Sequence, residues 1–177
     1  MTWPPRNQIL IDCNVFVHLC TRDANYNADG HVSTLLASLA AGSCTLLVDV
    51  GGAFKHEYDS FVAPHFQRES EIGADIPVLR YWMDPQNHSQ RPTSGNRQLR
   101  DAIATVIIEN ERADRGYVYI SFTEGSVLVT NDENHIVLGP RHLRNPERRQ
   151  RLVAAARRHV ADGAAILFSR EAVTMLD

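Results

Sequence analysis

Two apolar stretches of the chain end on an aspartate: Ile9-Leu10-Ile11-Asp12, and Ser126-Val127-Leu128-Val129-Thr130-Asn131-Asp132. A strand that is buried on both faces is a continuous apolar run, as in a parallel sheet covered by helices. The carboxyl ends of parallel strands lie at one edge of the sheet, where ligands bind in open α/β folds. The two stretches therefore predict a parallel sheet that brings Asp12 and Asp132 to one edge.

Predicted strands and helices alternate along most of the chain. Thr45–Val50 and Ala164–Phe168 are two further predicted strands, and helical spacing covers residues 32–40. This alternation predicts an α/β fold, a three-layer α/β/α sandwich with a mostly parallel central sheet. The chain has 177 residues, a length typical of one domain, so we expect a single domain over residues 1–177.

Two segments depart from the alternation. Residues 63–98 contain four prolines and a polar, turn-rich part, and we expect an irregular insertion there. Tyr117–Phe122 alternates or runs apolar, and Thr123-Glu124-Gly125 is a predicted turn into the Ser126–Thr130 strand. We therefore expect this segment to form a hairpin with the Ser126–Thr130 strand and to add an antiparallel strand to the sheet.

Basic charge is concentrated near the end of the chain. The net charge is −3, yet residues 141–160 hold seven arginines against one glutamate. Many of these arginines belong to a predicted basic helix at about 146–161, which we expect to bury Leu152 and Val153. Because arginine forms paired hydrogen bonds with phosphate, the stripe is either a solvated helix face or a surface that binds a polyanion.

Four acidic side chains stand where a strand ends or a helix begins. Asp12 and Asp132 end strands, and Glu57 lies on the helix that follows the second strand, while Asp101 is predicted to open a later helix. Carboxylate oxygens are the ligands that Mg²⁺ and Mn²⁺ prefer, and such ions can promote phosphodiester cleavage. Each acid alone has a structural explanation, because turns and helix starts favour acidic residues. The combination indicates a metal site.

These segments resemble the motifs of PIN-domain nucleases. Ile-Leu-Ile-Asp-Cys-Asn-Val-Phe (residues 9–16) is similar to the first motif of the family, and Val-Thr-Asn-Asp (129–132) to its strand-ending Thr-x-Asp motif. Lys-His-Glu-Tyr (55–58) resembles the second motif, and Arg-Asp-Ala-Ile-Ala (100–104) resembles the third. Residues 163–171 are similar to the last strand and the short helix that follows it.

The resemblance implies a nuclease that cleaves RNA, or less favourably DNA, with Mg²⁺ or Mn²⁺ as cofactor. It implies a catalytic and metal-binding cluster of four acids: Asp12, Glu57, Asp101 and Asp132. It also implies three supporting residues that orient Asp12, bound water or phosphate: Asn14, Thr130 and Asn131. Since 31 positions separate Asp101 from Asp132, Glu109, Glu111 and Asp114 are alternatives for the third acid, and Asp101 is favoured because Asp-Ala-Ile-Ala fits the third motif and an acid suits a helix start.

The expected partner is nucleic acid, with RNA favoured over DNA. Five arginines are the candidate nucleic-acid contacts: Arg97, Arg100, Arg144, Arg148 and Arg151. A toxin of a toxin–antitoxin pair would also have an antitoxin or another protein partner, and the sequence leaves open whether the chain forms a homodimer. The other version of the nuclease hypothesis is a stand-alone enzyme of RNA processing or defence. Three cysteines without CxxC spacing favour reduced thiols in a cytoplasmic protein, and no stretch is long enough for a membrane helix.

Two other classes of function remain as alternatives. A PIN-like module that binds nucleic acid or protein without cleaving it would not need to keep four mutually repelling carboxylates. A phosphatase of the haloacid dehalogenase type also begins with an aspartate at a strand end. That chemistry requires a second aspartate two positions later, where this sequence has Asn14, so the phosphatase is disfavoured.

Overall fold

The structure is a computed structural model that describes residues 3–21, 27, 29–68, 72–107, 112–131 and 145–176. Within these residues, five strands form one sheet: β1 (Gln8–Ile11), β2 (Thr45–Asp49), β3 (His88–Arg91), β4 (Val127–Val129) and β5 (Ala165–Leu167). Their order across the sheet is β3-β2-β1-β4-β5, and every neighbouring pair is parallel. The predicted α/β fold with a parallel central sheet is confirmed.

Helices lie between and after the strands. They are α1 (Cys13–Thr21), α2 (His31–Ala41), α3 (Ala53–Glu57), α4 (Ile76–Met83), α5 (Arg97–Ala104), α6 (Arg112–Glu124), α7 (Asn145–Ala156) and α8 (Ser169–Val173). After α3 the chain continues as a π-helical turn, Tyr58–Val62, and a 3₁₀ turn, Ala63–Arg68. Shorter 3₁₀ turns are Pro5–Asn7, Gly73–Asp75 and Pro85–Asn87. Among the described helices, none has the length and apolar character needed to cross a bilayer.

The helices form two layers around the sheet. One group of helices is centred on α2, which packs against α1, α4 and α8. The other is centred on α6, which contacts β2, β4 and β5 and packs against α5. The α5 helix also contacts α7. Crossovers between parallel strands are almost always right-handed. Helices that connect β1, β2 and β3 therefore lie on one face, and helices that connect β3, β4 and β5 lie on the other, as in a three-layer sandwich.

The region 63–98 is more regular than the sequence predicted. It contains α4 and also β3, which pairs with β2 from Leu46↔His88 to Asp49↔Arg91. The expected irregular insertion is therefore wrong for residues 76–91. β3 (His-Ser-Gln-Arg) lies at the edge of the sheet with one neighbour, so none of its residues is fully buried and the apolar run that marks an inner strand is missing.

The expected antiparallel hairpin at Tyr117–Phe122 is also wrong, because these residues belong to α6. Every side chain from Tyr117 to Phe122 is buried, since α6 lies between the sheet and the α5 helix. A helix that is buried all round has no polar face and so lacks the 3.6-residue periodicity that identifies surface helices. Its aromatic and β-branched residues then indicate a strand.

Three expected features of the later helices need correction. α5 begins at Arg97 rather than at Asp101, because the Asn96 side chain accepts a 3.0 Å hydrogen bond from the Leu99 amide and caps the helix start. The basic helix ends at Ala156 rather than at about residue 161. Leu152 is buried as expected, whereas Val153 is 44% exposed.

Gly125, between α6 and β4, permits the close approach of two chain segments. Its φ is +66°, and a Cβ added there would collide with the backbone carbonyl of Asp162. Gly52 also has a left-handed φ, +76°, but nothing lies within 4 Å of its Cβ position. Comparing an alanine substitution at the two positions therefore separates the conformational cost of a left-handed backbone from the steric cost of the added Cβ atom.

We expect Gly125→Ala to destabilise the protein more than Gly52→Ala. Gly52→Ala should cost about 1–2 kcal/mol, the penalty of a left-handed backbone. Gly125→Ala should cost at least about 1 kcal/mol more, because the backbone around Asp162 must move. Urea unfolding of both variants measures the difference, and equal losses of stability would contradict the packing described for Gly125.

Candidate functional site

The order of the strands changes direction between β1 and β4. The chain proceeds from β1 to β2 and β3 on one side, then crosses back to β4 and β5 on the other. Where the direction changes, connections leave on opposite faces and open a space between the strand ends, where ligands bind in open α/β sheets. We call the strand ends at this edge the carboxyl rim, formed by Asp12, Asp49 and Thr130.

Asp12 is the first residue after β1 and occupies the centre of the rim. It is 4% exposed. Its Oδ2 accepts hydrogen bonds from Thr130 Oγ1 at 2.7 Å and Asn14 Nδ2 at 2.8 Å, and its Oδ1 accepts one from the Asn14 amide at 3.3 Å. These donors hold the carboxylate in one orientation, because they fix both of its oxygens.

Thr130 and Asn131 follow β4, and both contact the β1 side of the rim. The register Ile11↔Val129 places Thr130 beside Asp12, which explains the direct hydrogen bond between them. The Asn131 amide donates to Asn14 Oδ1 at 2.9 Å. The structure therefore brings together Asp12 and all three predicted supporting residues, Asn14, Thr130 and Asn131. Asp132, the next residue, lies outside the described residues, so its predicted place at the rim stays a prediction.

Glu57 reaches the rim because several contacts attach its helix to β1. The Tyr58 hydroxyl donates to the Ile11 carbonyl at 2.7 Å, and the Cys13 thiol lies 3.6 Å from the Glu57 carbonyl. The Glu57 Oε2 accepts a hydrogen bond from the buried Tyr117 hydroxyl at 3.3 Å. Glu57 is thus held between the end of β1 and α6, close to Asp12.

The electrostatics of Glu57 indicate a site short of positive charge. The pKa of Glu57 is raised from 4.5 to about 7, chiefly by burial and then by the nearby charges of Asp12 and Asp49, against a smaller lowering by the Tyr117 hydrogen bond. Burial, Asp12 and Glu57 also raise the pKa of the Cys13 thiol well above its usual range. Cys13 therefore remains a neutral thiol at pH 7. The carboxylates of Asp12 and Glu57 lie close to it.

Asp49 is a rim residue that was not singled out from the sequence. The register Gln8↔Thr45 and Ile9↔Leu46, extended along both strands, places Asp49 opposite Asp12. Its carboxylate accepts hydrogen bonds from the amides of Ala53 at 2.9 Å and Phe54 at 2.8 Å. Asp49 thus caps the start of α3. The sequence feature that could have identified Asp49 is that the second strand, like the first apolar stretch, ends on an aspartate.

The carboxylates of Asp12 and Glu57 are suitable ligands for a hard cation whose remaining ligands are water and substrate phosphate. Asp12 and Glu57 offer oxygen atoms only, and none of the groups that shift the pKa of Glu57 is cationic. Over the residues that the structure describes, no three His, Cys, Asp or Glu side chains are grouped to hold a metal. Mg²⁺ is commonly bound through one or two carboxylates plus water and substrate phosphate, so two carboxylates fit such an ion.

Asp101 and Asp114 occupy different positions relative to the rim. Asp101 lies in the middle of α5, its side chain is 70% exposed, and it is 3.7 Å from Arg97. Asp114 lies in the first turn of α6, the helix that leads into β4. It is three residues before Tyr117 and therefore on the same helix face, and Tyr117 donates to Glu57. Glu109 and Glu111 lie outside the described residues.

A cavity of about 520 Å³ opens beside the rim. It is lined by Asp49 and Phe54 from the β2–α3 region, by Arg100 and Asp101 from α5, and by Arg115 and Tyr119 from α6. Arg115 is anchored by two hydrogen bonds to the Ile107 carbonyl, at 2.9 and 2.6 Å. The cavity therefore presents two guanidinium groups next to the acidic edge of the sheet.

The candidate arginines lie on two helices that contact each other, where the structure describes them. Arg97 and Arg100 are exposed on α5, and Arg151 is exposed on α7, which packs against α5. Arg144 and the side chain of Arg148 lie outside the described part of the chain. We call these exposed arginines of two adjacent helices, Arg97, Arg100 and Arg151, the basic side; Arg100 also borders the cavity.

No protein-family model matches the chain, and neither the curated proteins nor the solved structures contain a match.

We expect Glu57→Gln to stabilise the metal-free protein in a pH-dependent manner. The raised pKa means that the folded state binds the Glu57 proton more tightly than the unfolded chain. Stability is therefore lost as the pH rises from about 4.5 to about 7. The glutamine variant avoids this loss and should gain roughly 2 kcal/mol at pH 8, a value reduced for partial solvent exposure, and much less at pH 5.

Urea unfolding in EDTA at pH 5 and pH 8 measures this effect. Asp101→Asn is the matched control, because it removes one carboxylate from an exposed position and should show no comparable change with pH. If Glu57→Gln raised the free energy of unfolding by the same amount at both pH values, the pKa of Glu57 would not differ between the folded and unfolded protein, which would contradict the prediction.

Proposed function

We propose that the protein is a metal-dependent nuclease of the PIN type, with RNA as the favoured substrate. One observation carries the proposal: the buried Asp12 carboxylate lies near the Glu57 carboxylate, and burial together with the Asp12 charge raises the pKa of Glu57. Strongly shifted pKa values and like charges in a crevice are concentrated at functional sites. The resemblance of the first and fourth motifs to PIN nucleases adds the reaction class, hydrolysis of a phosphodiester bond.

Asp12, Glu57 and Asp132 would hold Mg²⁺ or Mn²⁺. Such an ion, when bound, lowers the pKa of water and stabilises charge on phosphate oxygens. Asn14 and Thr130 keep Asp12 oriented through their hydrogen bonds, and outer partners of this kind fix the direction of a ligand carboxylate. Tyr117 holds Glu57 in place. A bound cation would also relieve the repulsion that raises the pKa of Glu57.

Asp114 is a better candidate than Asp101 for the third acid of the family pattern. It begins the helix that leads directly into the Thr130-Asn131-Asp132 motif, and Tyr117 connects this helix to Glu57. Asp101 is exposed and lies near Arg97. Eighteen positions separate Asp114 from Asp132, and the rest of α6, a short turn and β4 span this interval.

The arginines of the basic side would hold the phosphate backbone of the substrate. Arg100 and Arg115 line the cavity next to the rim, and Arg151 lies on the adjoining helix. Guanidinium groups bind phosphates through paired hydrogen bonds. A strand bound across these arginines would lie beside the proposed cleavage site, which is the arrangement that a nuclease requires.

A binding module that does not cleave is the second candidate. It is favoured by one observation: the described residues hold no group of three metal-ligand side chains. Such a module would bind RNA or a protein partner, for example an antitoxin, without needing a metal. Metal dependence of cleavage distinguishes the two functions.

We expect the purified protein to cleave RNA with Mn²⁺ or Mg²⁺ and to be inactive in EDTA. Asp12→Asn should lower the cleavage rate by more than the roughly 10–100-fold that follows loss of an outer partner of a metal site. Asp114→Asn should also lower it strongly, whereas Asp101→Asn should retain most activity. Initial rates on a labelled RNA and on DNA of the same sequence measure these effects.

The outcomes separate the parts of the proposal. Cleavage at the wild-type rate by Asp12→Asn would overturn the nuclease site. A severe loss in Asp101→Asn together with a mild loss in Asp114→Asn would leave the site intact and reverse the assignment of the third acid. RNA binding that needs neither a metal nor Asp12, without cleavage, would favour the binding module.

We also expect the basic side to control the salt dependence of RNA binding. Arg100→Ala combined with Arg151→Ala should lower the slope of log affinity against log salt by about one unit per lost phosphate contact. Arg6→Ala is the matched control, because Arg6 precedes β1 and so lies at the opposite edge of the sheet. Filter binding at several salt concentrations measures the slopes, and equal slopes for all variants would assign these arginines to a solvated surface.

A further inference from the structure

Three side chains near the rim form a hydrogen-bonded series that the proposed nuclease site does not use. The Asp29 Oδ1 lies 2.5 Å from His31 Nδ1, and His31 Nε2 lies 2.9 Å from Ser169 Oγ. Asp29 also accepts a hydrogen bond from Arg170 at 3.2 Å. An acid, an imidazole and a hydroxyl in this order have the geometry of a nucleophilic triad.

Burial argues against a nucleophilic role for Ser169. Ser169 is 1% exposed and His31 is 8% exposed, so a substrate has no access to the hydroxyl. The Ser169 Oγ also donates a 2.7 Å hydrogen bond to Asn131 Oδ1. The series therefore points into the protein, towards the rim, and Asp29 with Arg170 forms its exposed end.

Asn131 connects this series to the rim. Its Oδ1 accepts hydrogen bonds from the amide and the hydroxyl of Ser169, its Nδ2 lies 3.2 Å from His18 Nδ1, and its backbone amide donates to Asn14 Oδ1. Asn14 in turn donates to Asp12. The parallel register Val129↔Leu167 explains the contact, because it brings Asn131 opposite Ser169 two residues beyond the strands.

The hydrogen positions follow from what each atom is able to donate. An amide oxygen only accepts, so the contact with Asn131 Oδ1 requires the proton of the Ser169 hydroxyl. The His31 Nε2 then donates to Ser169 Oγ, and its Nδ1 donates to the Asp29 carboxylate, which only accepts, so that both ring nitrogens are donors. The direction of donation runs from His31 to Ser169 to Asn131, and it fixes which way the Asn131 amide faces.

We propose that His31 and Ser169 are positioning residues: they hold Asn131, and through Asn14 they keep the Asp12 carboxylate oriented for a divalent cation. The cation rests on the proposed function, whereas the link from Ser169 to Asn14 does not. Neither residue touches substrate or metal. Ser121 provides a matched control, because its hydroxyl is also fully buried and donates a 2.7 Å hydrogen bond, to the Ser126 carbonyl, without contacting Asn131.

The test compares Ser169→Ala, His31→Leu, His31→Gln and Ser121→Ala with the wild-type protein. The side-chain amide resonances of Asn14 and Asn131 are followed by NMR without metal, and Mn²⁺ affinity is measured by titration. Ser169→Ala and His31→Leu should shift both amide signals and weaken Mn²⁺ binding about 10-fold, as loss of outer partners does. His31→Gln, which retains a donor towards Ser169, should keep most of the affinity. Ser121→Ala should change neither the amide signals nor the affinity.

The outcomes distinguish this inference from the proposed function. Wild-type amide signals for Asn14 and Asn131 in Ser169→Ala would overturn the link, whether or not the protein binds metal. Shifted signals with unchanged Mn²⁺ affinity would show a structural role alone and overturn the positioning role. If Ser169→Ala fails to fold, the comparison of His31→Gln with His31→Leu decides, and equal affinities of these two would count against the inference. A wild-type protein that does not bind Mn²⁺ would overturn the proposed function and the cation in this inference, while the amide signals would still test the link from Ser169 to Asn14.

Discussion

The buried carboxylate of Asp12, at the end of the central strand, is the constraint on which the rest of the site depends. A charged group with 4% exposure is tolerated only when other groups satisfy it. Thr130 from β4 and Asn14 from α1 do so, which ties the two halves of the sheet together at the point where the chain reverses its direction. Glu57 is then held close to this charge by Tyr58 and Tyr117, and burial together with the Asp12 charge raises its pKa.

The inner strands of the fold could be predicted from the sequence, because burial on both faces leaves a simple pattern. β1 covers the apolar run of the first predicted strand, and β2, β4 and β5 lie within their predicted segments. The pattern fails where burial is unusual for the element. β3 is polar because it is an edge strand, and α6 resembles a strand because it is buried on all sides. The order of the strands depends on long-range pairing and has no local signal.

The site was predictable to the extent that its residues adjoin strands. Asp12, Asn14, Thr130 and Asn131 are brought together as the motifs indicated, whereas Asp132 stays a prediction. Asp101 was predicted to begin a helix. The helix in fact begins four residues earlier, at Arg97, because the Asn96 side chain caps it there. Asp49, Tyr117 and the series of His31 and Ser169 depend on register and packing between distant segments. Such contacts become visible only when the strands are placed side by side.

Crystals of the protein soaked in Mn²⁺ test the central claim most directly, because anomalous scattering locates the ion without reference to activity. The account predicts an anomalous peak at the carboxyl rim, with carboxylate oxygens of Asp12 and Glu57 at roughly 2 Å from the ion. A well-ordered rim without a peak, or Mn²⁺ bound only elsewhere on the protein, would contradict it.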